Sequence, residues 1–177
     1  MAMKKLKIEV GIVMGSDSDW SLVKECAETL ASFGVGCEAR VLSAHRTPVL
    51  AAEYASSAIR RGLKILVSAA GGAAHLGGVL AAHTILPVIG IPIKGGAVNG
   101  MDSLLATLQM PAGIPVATVT LGSAGPVNAA LLAVQILALG RPDLRKKMEA
   151  HKRRMQKKVM AGDAKVQDDL RKMLAGM

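Results

Sequence analysis

Residues 35–61 run VGCEARVL-SAHRTP-VLAAEYASSAIRR, and this stretch decides the fold. Val35 to Leu42 is an apolar run that predicts a strand, and Val49 to Arg61 predicts a helix. The six residues Ser43-Ala44-His45-Arg46-Thr47-Pro48 join the two, and Pro48 suits a first helical turn, where its missing N–H is not needed. A strand followed at once by a helix is the repeating unit of a parallel α/β sheet.

The same strand-helix unit recurs along the chain with short loops. This alternation predicts an α/β fold of three layers, a doubly wound, five-stranded parallel sheet with the flavodoxin-like strand order 2-1-3-4-5. The predicted strands are Lys5 to Met14, Val35 to Leu42, Lys64 to Ala69, Leu86 to Ile93 and Ile114 to Leu121. The predicted helices are Trp20 to about Phe33, Val49 to Arg61, Val79 to Ile85, Asp102 to Met110 (capped by Asp102 or Ser103) and Pro126 to Leu139.

Pro142 begins a further helix that is rich in Lys and Arg. We therefore divide the chain into a catalytic α/β domain, residues 1–140, and a basic C-terminal helical extension, residues 141–177. Beyond about Ala161 we expect a loosely held end, helical or frayed.

Most of the net charge of +9 lies in residues 141–160, which hold nine Lys or Arg against Asp143 and Glu149. The chain has one Trp, one Phe and one Tyr, so it offers no aromatic platform for stacking bases. We interpret the extension as a solvated helix face and expect no nucleic-acid partner. Salt-dependent binding of nucleic acid that is lost on deleting the extension would favour the alternative.

Three loops carry the polar residues that point to a site. They are Gly15 to Trp20, the hexapeptide Ser43 to Pro48, and Ala69 to Gly78, and each follows a predicted strand. In the predicted strand order these strand ends surround one crevice at the switch point. The Ser and Asp residues of the first loop favour an anion, although helix capping is an alternative. The small side chains of the third loop leave room for a planar ligand.

The chemistry of this crevice is suggested by a histidine and an arginine. His45 can give and take a proton near neutral pH, and Arg46 offers a fork of donors suited to phosphate. His75 is a second candidate, although a structural histidine at a helix start is an equal alternative. No metal-ligand spacing, GxSxG elbow or Walker loop is present. We expect proton transfer by His45 on a small, phosphorylated, planar substrate, without a metal.

Other features bear on location and assembly. Val127 to Leu139 is the longest apolar run, too short to span a bilayer, and no signal-peptide pattern precedes the domain. Cys26 and Cys37 are expected to be buried reduced thiols. These features predict a cytoplasmic protein without a membrane partner. The helix Pro126 to Leu139 is apolar nearly all round, so we expect it to pack against other subunits of a homo-oligomer.

Seven strings resemble one enzyme family. They are MGSDSDW, SAHRTP, AGGAAHL, LPVIG, MDSLL, QMPAGIPVATV and NAALLA, and in order they span about residues 8–140. Together they are similar to the N5-carboxyaminoimidazole ribonucleotide mutases of purine (IMP) biosynthesis. The resemblance implies transfer of a carboxylate from the exocyclic nitrogen of the ribonucleotide to ring carbon four, with no metal, ATP or organic cofactor. It also implies an octamer with sites at subunit contacts.

The same resemblance implies roles for individual residues. His45 matches the acid-base residue, Arg46 a substrate-binding position, and Ser43 a phosphate-loop position. Gly71 to His75 match the segment beside the imidazole and the carboxylate. The predicted catalytic residue is therefore His45, and the predicted substrate-binding residues are Ser16, Ser18, Asp19, Ser43, Arg46, Gly71, Ala73, Ala74, His75 and Leu76.

Two alternatives to the mutase function stay open. Two residues also depart from the family pattern. One alternative is a metal-free carboxylase that uses CO2 directly; that branch resembles this chain but carries Lys where Arg46 stands. The other is a nucleotide-binding module without chemistry. Gly77 stands where the family usually has Pro, so we expect a more mobile turn after His75. Ala69 replaces a common Gly and is expected to add a methyl near the sheet edge.

Overall fold

The computed structural model describes residues 6–176. Its five strands are β1 (Ile8–Met14), β2 (Gly36–Val41), β3 (Ile65–Ala70), β4 (Val88–Pro92) and β5 (Ala117–Thr118). They pair in parallel in the order β2-β1-β3-β4-β5, which confirms the predicted fold class and strand order. The helices are α1 (Trp20–Ser32), α2 (Pro48–Ser57), α3 (Leu76–Ala82), α4 (Met101–Leu108), α5 (Ala124–Ala138) and α6 (Pro142–Ala175).

The three central strands are buried along almost their whole length. Every residue of β3 and β4 is buried, as is every residue of β1 after Ile8. Since successive side chains of a strand point to opposite faces, both faces of the sheet are covered by other elements. Ile12 pairs with Ala39 on one side and with Val67 on the other, so the ends of β2, β1 and β3 lie next to one another.

Strand β5 is much shorter than the predicted Ile114 to Leu121. Pro115 has no N–H for a sheet ladder, and the Thr118 hydroxyl donates to the backbone oxygens of Thr107 and Val116. The apolar run therefore predicted a strand correctly but not its length.

Helix α3 begins three residues before the predicted Val79. The sequence predicts Gly77 and Gly78 to lie in the preceding loop, but both lie inside the helix. A Cβ on Gly77 would lie 3.1 Å from Ser68 Oγ and 3.5 Å from Val116 Cγ1, so glycine lets the helix approach the sheet closely. Gly77 is buried in this contact.

The start of α4 also differs from the prediction that Asp102 or Ser103 caps it. The residue preceding the helix is Gly100, whose φ of 88° lies in the left-handed region that favours glycine. Ser103 is buried, and its hydroxyl donates to the backbone oxygens of Ile93 (2.8 Å) and Gly100 (2.9 Å). Ser103 therefore ties the helix to the end of β4 instead of capping it.

Helix α5 is only partly buried within this chain, so its expected packing against other subunits stays a prediction. Asn128 and Gln135, the two polar residues of the apolar run, are both exposed, whereas Pro126 is buried. Ala129, Ala130 and Val134 are buried. The face of α5 that carries these three residues is therefore buried within a single chain.

Helix α6 is continuous from Pro142 to Ala175, 34 residues, so the segment after Ala161 is helical as far as Ala175. The described residues group into two compact units, and the division falls between Leu137 and Ala138. Within residues 6–176, no helix has the length and apolar character needed to cross a membrane.

The two thiols and Ala69 were predicted less well. Cys26 is buried, and burial raises the pKa of its thiol to about 12, but Cys37 is only half-buried. Ala69 is fully buried in the central strand β3, not near a sheet edge.

Candidate active site

A cavity of about 390 Å³ opens at the carboxyl ends of β1, β2 and β3. All three predicted loops contribute to its wall. The lining residues are Gly15, Ser16, Asp19, Ser43, Ala44, His45, Arg46, Ala70, Gly71, Ala74, His75 and Leu76.

The first loop is a capped turn that leads into α1. Ser16 Oγ accepts hydrogen bonds from the Ser18 N–H (3.3 Å) and the Ser18 hydroxyl (2.9 Å). Asp19 lies half-buried at the cavity, and burial raises the pKa of its carboxyl above the ordinary value, although hydrogen bonds from Ser18 and Ser16 lower it. The net shift of the Asp19 pKa is upward, because the effect of burial is the largest.

The second loop is held by its own hydroxyl groups. Ser43 Oγ accepts from the backbone N–H groups of His45 (3.3 Å) and Arg46 (3.1 Å). Thr47 Oγ1 accepts from the Ser43 N–H at 2.9 Å and donates to the Ser43 carbonyl at 3.2 Å. These local bonds fix the backbone from which His45 and Arg46 project.

Arg46 links the second loop to the first. Its Nη2 donates to the Gly15 carbonyl oxygen at 2.9 Å, across 31 residues of sequence. The side chain is exposed, and a guanidinium has five N–H donors, so others are left for a ligand. The positive charge is thus placed in the cavity wall between the two loops.

The third loop follows β3 and contains backbone conformations that few residues other than glycine adopt easily. Gly72 has φ of 60°, and Ala74 has φ of 46°, in the left-handed region. The Ala74 N–H donates to the Gly71 carbonyl at 3.1 Å, which closes a tight turn. The turn brings His75 to the position that precedes α3.

His45 and His75 meet in the cavity. His45 Nε2 lies 2.8 Å from His75 Nδ1, and the ring centroids are 4.9 Å apart with the rings at 81°. His75 precedes α3, yet its side chain makes no capping hydrogen bond to that helix. The His75 ring therefore lies in the cavity wall against His45 and does not cap α3.

Comparison with known proteins decides the family. The sequence model of a family described as AIR carboxylase matches residues 9–158. This chain belongs to the AIR carboxylase family.

Individual members are similar over most of their length. A Pyrococcus horikoshii protein named N5-carboxyaminoimidazole ribonucleotide mutase is 52% identical over 159 residues, which cover 90% of this chain and 89% of that protein. A Vibrio cholerae protein of the same name is 51% identical over 151 residues, covering 85% and 94%. The crystal structure of Treponema denticola PurE matches with a TM-score of 0.81 at 28% identity and covers 90% of this chain and 98% of that one.

For this member of the AIR carboxylase family, nearly all the predicted site residues lie in the cavity wall. Ser18 and Ala73 are the exceptions: both are exposed but do not line the cavity. The Ser18 hydroxyl instead donates to Ser16 Oγ, and Ser16 has the capping role that the sequence left as an alternative, because its Oγ also accepts from the Ser18 N–H. Gly15, Ala44 and Ala70 line the cavity but were not predicted; they offer no functional side chain, so their places in the three loops were the only signal.

Across the described residues 6–176, no group of three His, Cys, Asp or Glu side chains is placed to hold a metal ion.

Proposed function

We propose that this chain is an N5-carboxyaminoimidazole ribonucleotide mutase. It moves the carboxylate from the exocyclic nitrogen to ring carbon four and gives 4-carboxy-5-aminoimidazole ribonucleotide for purine biosynthesis. The observation that carries this proposal is identity of 52% and 51% to proteins of that name over nearly the full length of both chains. The cavity supports it, because an imidazole and a guanidinium share one wall.

His45 is the proposed general acid and base. When the carboxylate leaves, the exocyclic nitrogen gains a proton, and when carbon four takes the carboxylate it must lose one. An imidazole can do both near neutral pH, and His45 lies in the cavity wall on a loop held by Ser43 and Thr47.

Arg46 is the proposed anchor of the 5′-phosphate, together with Ser43 and the Ser16 hydroxyl. Support comes from the exposed guanidinium, which lies between two loops rich in hydroxyl groups. Asp19 is proposed to accept from a ribose hydroxyl, and the third loop to contact the imidazole and the carboxylate. Its residues at the cavity are Gly71, Ala74, His75 and Leu76.

The runner-up, a carboxylase that uses CO2 directly, is not favoured by the names of these relatives. Initial rates separate the two activities. The mutase accelerates product formation from the carbamate ribonucleotide without added bicarbonate or ATP. Faster turnover of aminoimidazole ribonucleotide with bicarbonate than of the carbamate would favour the carboxylase.

Three companion expectations remain proposals: a homo-oligomer, an octamer by family resemblance; a cytoplasmic location; and a reaction without metal or organic cofactor. Replacing His45 tests the alternative that the chain is a nucleotide-binding module without chemistry. If the wild-type protein turns over the substrate, and His45→Asn loses this activity but still binds the nucleotide, that alternative is excluded.

A further inference from the structure

The contact between His45 and His75 restricts how protons are placed in the cavity. Two ring nitrogens 2.8 Å apart need one proton between them, since two bare nitrogens or two N–H groups repel. His45 Nε2 is thus occupied by His75, and Nδ1 is the His45 nitrogen left for a substrate.

We propose that His75 is the positioning residue of this site and that the two rings hold their exchangeable protons as one unit. This inference rests on the proposed mutase function. His75 orients the His45 ring and shares the added proton, so that His45 Nδ1 is the atom that gives and takes protons. Asp19 and Arg46 are the charged side chains that line the same cavity.

The proton count supports a singly charged pair as the starting state. In that state His45 Nδ1 and His75 Nε2 each carry a proton and a third lies between the rings. A neutral pair cannot donate from His45 without leaving an anionic ring, and a doubly charged pair loses the bridging bond and places two like charges in contact.

The reaction then balances. The N–C bond to the carboxylate breaks, its electron pair stays on the exocyclic nitrogen, and that nitrogen takes the proton of His45 Nδ1. The pair is now neutral, with the bridging proton on His45 Nε2 and donated to His75 Nδ1. Carbon four forms its bond to the released CO2 and then gives its hydrogen to His45 Nδ1 as a proton, which restores the singly charged pair.

The experiment compares His75→Asn with a matched control, His83→Asn. Asn can offer a hydrogen-bonding atom near the Nδ1 position but cannot carry an added proton. His83 precedes β4, its ring contacts the Val79 carbonyl, and it does not line the cavity. We expect His75→Asn to lower kcat about tenfold or more with a smaller change in KM, and to move the alkaline limb of the kcat–pH profile to lower pH. His83→Asn should leave both unchanged.

Two results would overturn the pairing. One is a kcat and pH profile of His75→Asn that coincide with the wild type; the other is a uniform fall in kcat with the profile unmoved, which indicates a structural role only. Nitrogen NMR of ¹⁵N-histidine-labelled protein tests the pair even if the mutase function fails. His45→Asn must then shift the His75 Nδ1 signal, and an unshifted signal refutes the proposal.

Discussion

Replacing Arg46 by Ala removes the only Lys or Arg side chain that lines the cavity among the described residues. One of its five N–H donors is used by the Gly15 carbonyl, which leaves enough for a two-bond contact with a phosphate. Charge-assisted hydrogen bonds contribute about 1.5–3 kcal/mol each, and the exposure of Arg46 places this contact at the low end. A total loss of about 1.5–3 kcal/mol corresponds to a fall in kcat/KM of about ten- to hundredfold.

The assay is kcat/KM for the carbamate ribonucleotide, with affinity for the product nucleotide measured in parallel. Arg46→Lys keeps the charge but not the planar fork, so its loss should be intermediate. Arg60→Ala is the matched control, because it removes the same charge from an exposed arginine that lies outside the cavity.

An unchanged kcat/KM in Arg46→Ala would remove the guanidinium from the site. Equal losses in Arg46→Ala and Arg60→Ala would mean that the net charge of the protein, not a local contact, attracts the nucleotide.

Three further predictions concern stability and assembly. Burial alone would raise the pKa of Glu38, but hydrogen bonds from Tyr54 and Arg61 and the Arg61 charge bring it below 4.5. Because the folded protein favours the ionised carboxylate, Glu38 stabilises the fold above pH 4.5, and this contribution is lost as the pH falls through the lowered pKa. Glu38→Gln should therefore lower stability at pH 7 by about 1 kcal/mol and flatten its fall toward acid, measured by urea unfolding; an unaltered slope would contradict this. Gly72→Ala should cost about 1 kcal/mol through its positive φ alone, since no atom lies within 4 Å of the added Cβ, whereas Gly95→Ala should not destabilise; equal effects would refute the conformational cause. Light scattering at micromolar concentration should report a homo-oligomer, and a stable, active monomer would rule it out.

The layout of the sheet could be predicted because its strands carry their own signal. Ile8, Val10, Ile12 and Val13 form a β-branched run, and the burial of β1 beyond Ile8 suits a central parallel strand. The turn signals between strands and helices then fixed the order of elements, and the rules for parallel connections limited the possible strand orders.

Element ends were predicted less well because tertiary packing decides them. Gly77 resembles a loop residue in sequence, yet it lies in a helix pressed against Ser68 and Val116. Strand β5 is shorter than its apolar pattern predicts, and Pro115, before its start, has no N–H to donate to a sheet ladder.

The candidate site was likewise predictable only in part. Its three loops were predictable, since each follows a strand, but the bonds between them join residues far apart in sequence. Arg46 reaches Gly15 across 31 positions and His45 reaches His75 across 30, so neither contact has a local pattern. The capping role of Ser16 was indistinguishable from ligand binding, because both use the same hydroxyl.

Isotope retention tests the central claim most directly. The enzyme is given carbamate ribonucleotide that carries ¹³C in the transferred carboxylate, with unlabelled bicarbonate and carbonic anhydrase in the solution. We predict that the product of the wild-type enzyme keeps the ¹³C, and that His45→Asn binds the nucleotide but turns it over at least about a hundredfold more slowly. Product that carries the unlabelled carbon of the solution would show that the enzyme uses free CO2, and it would contradict carboxylate transfer within the cavity.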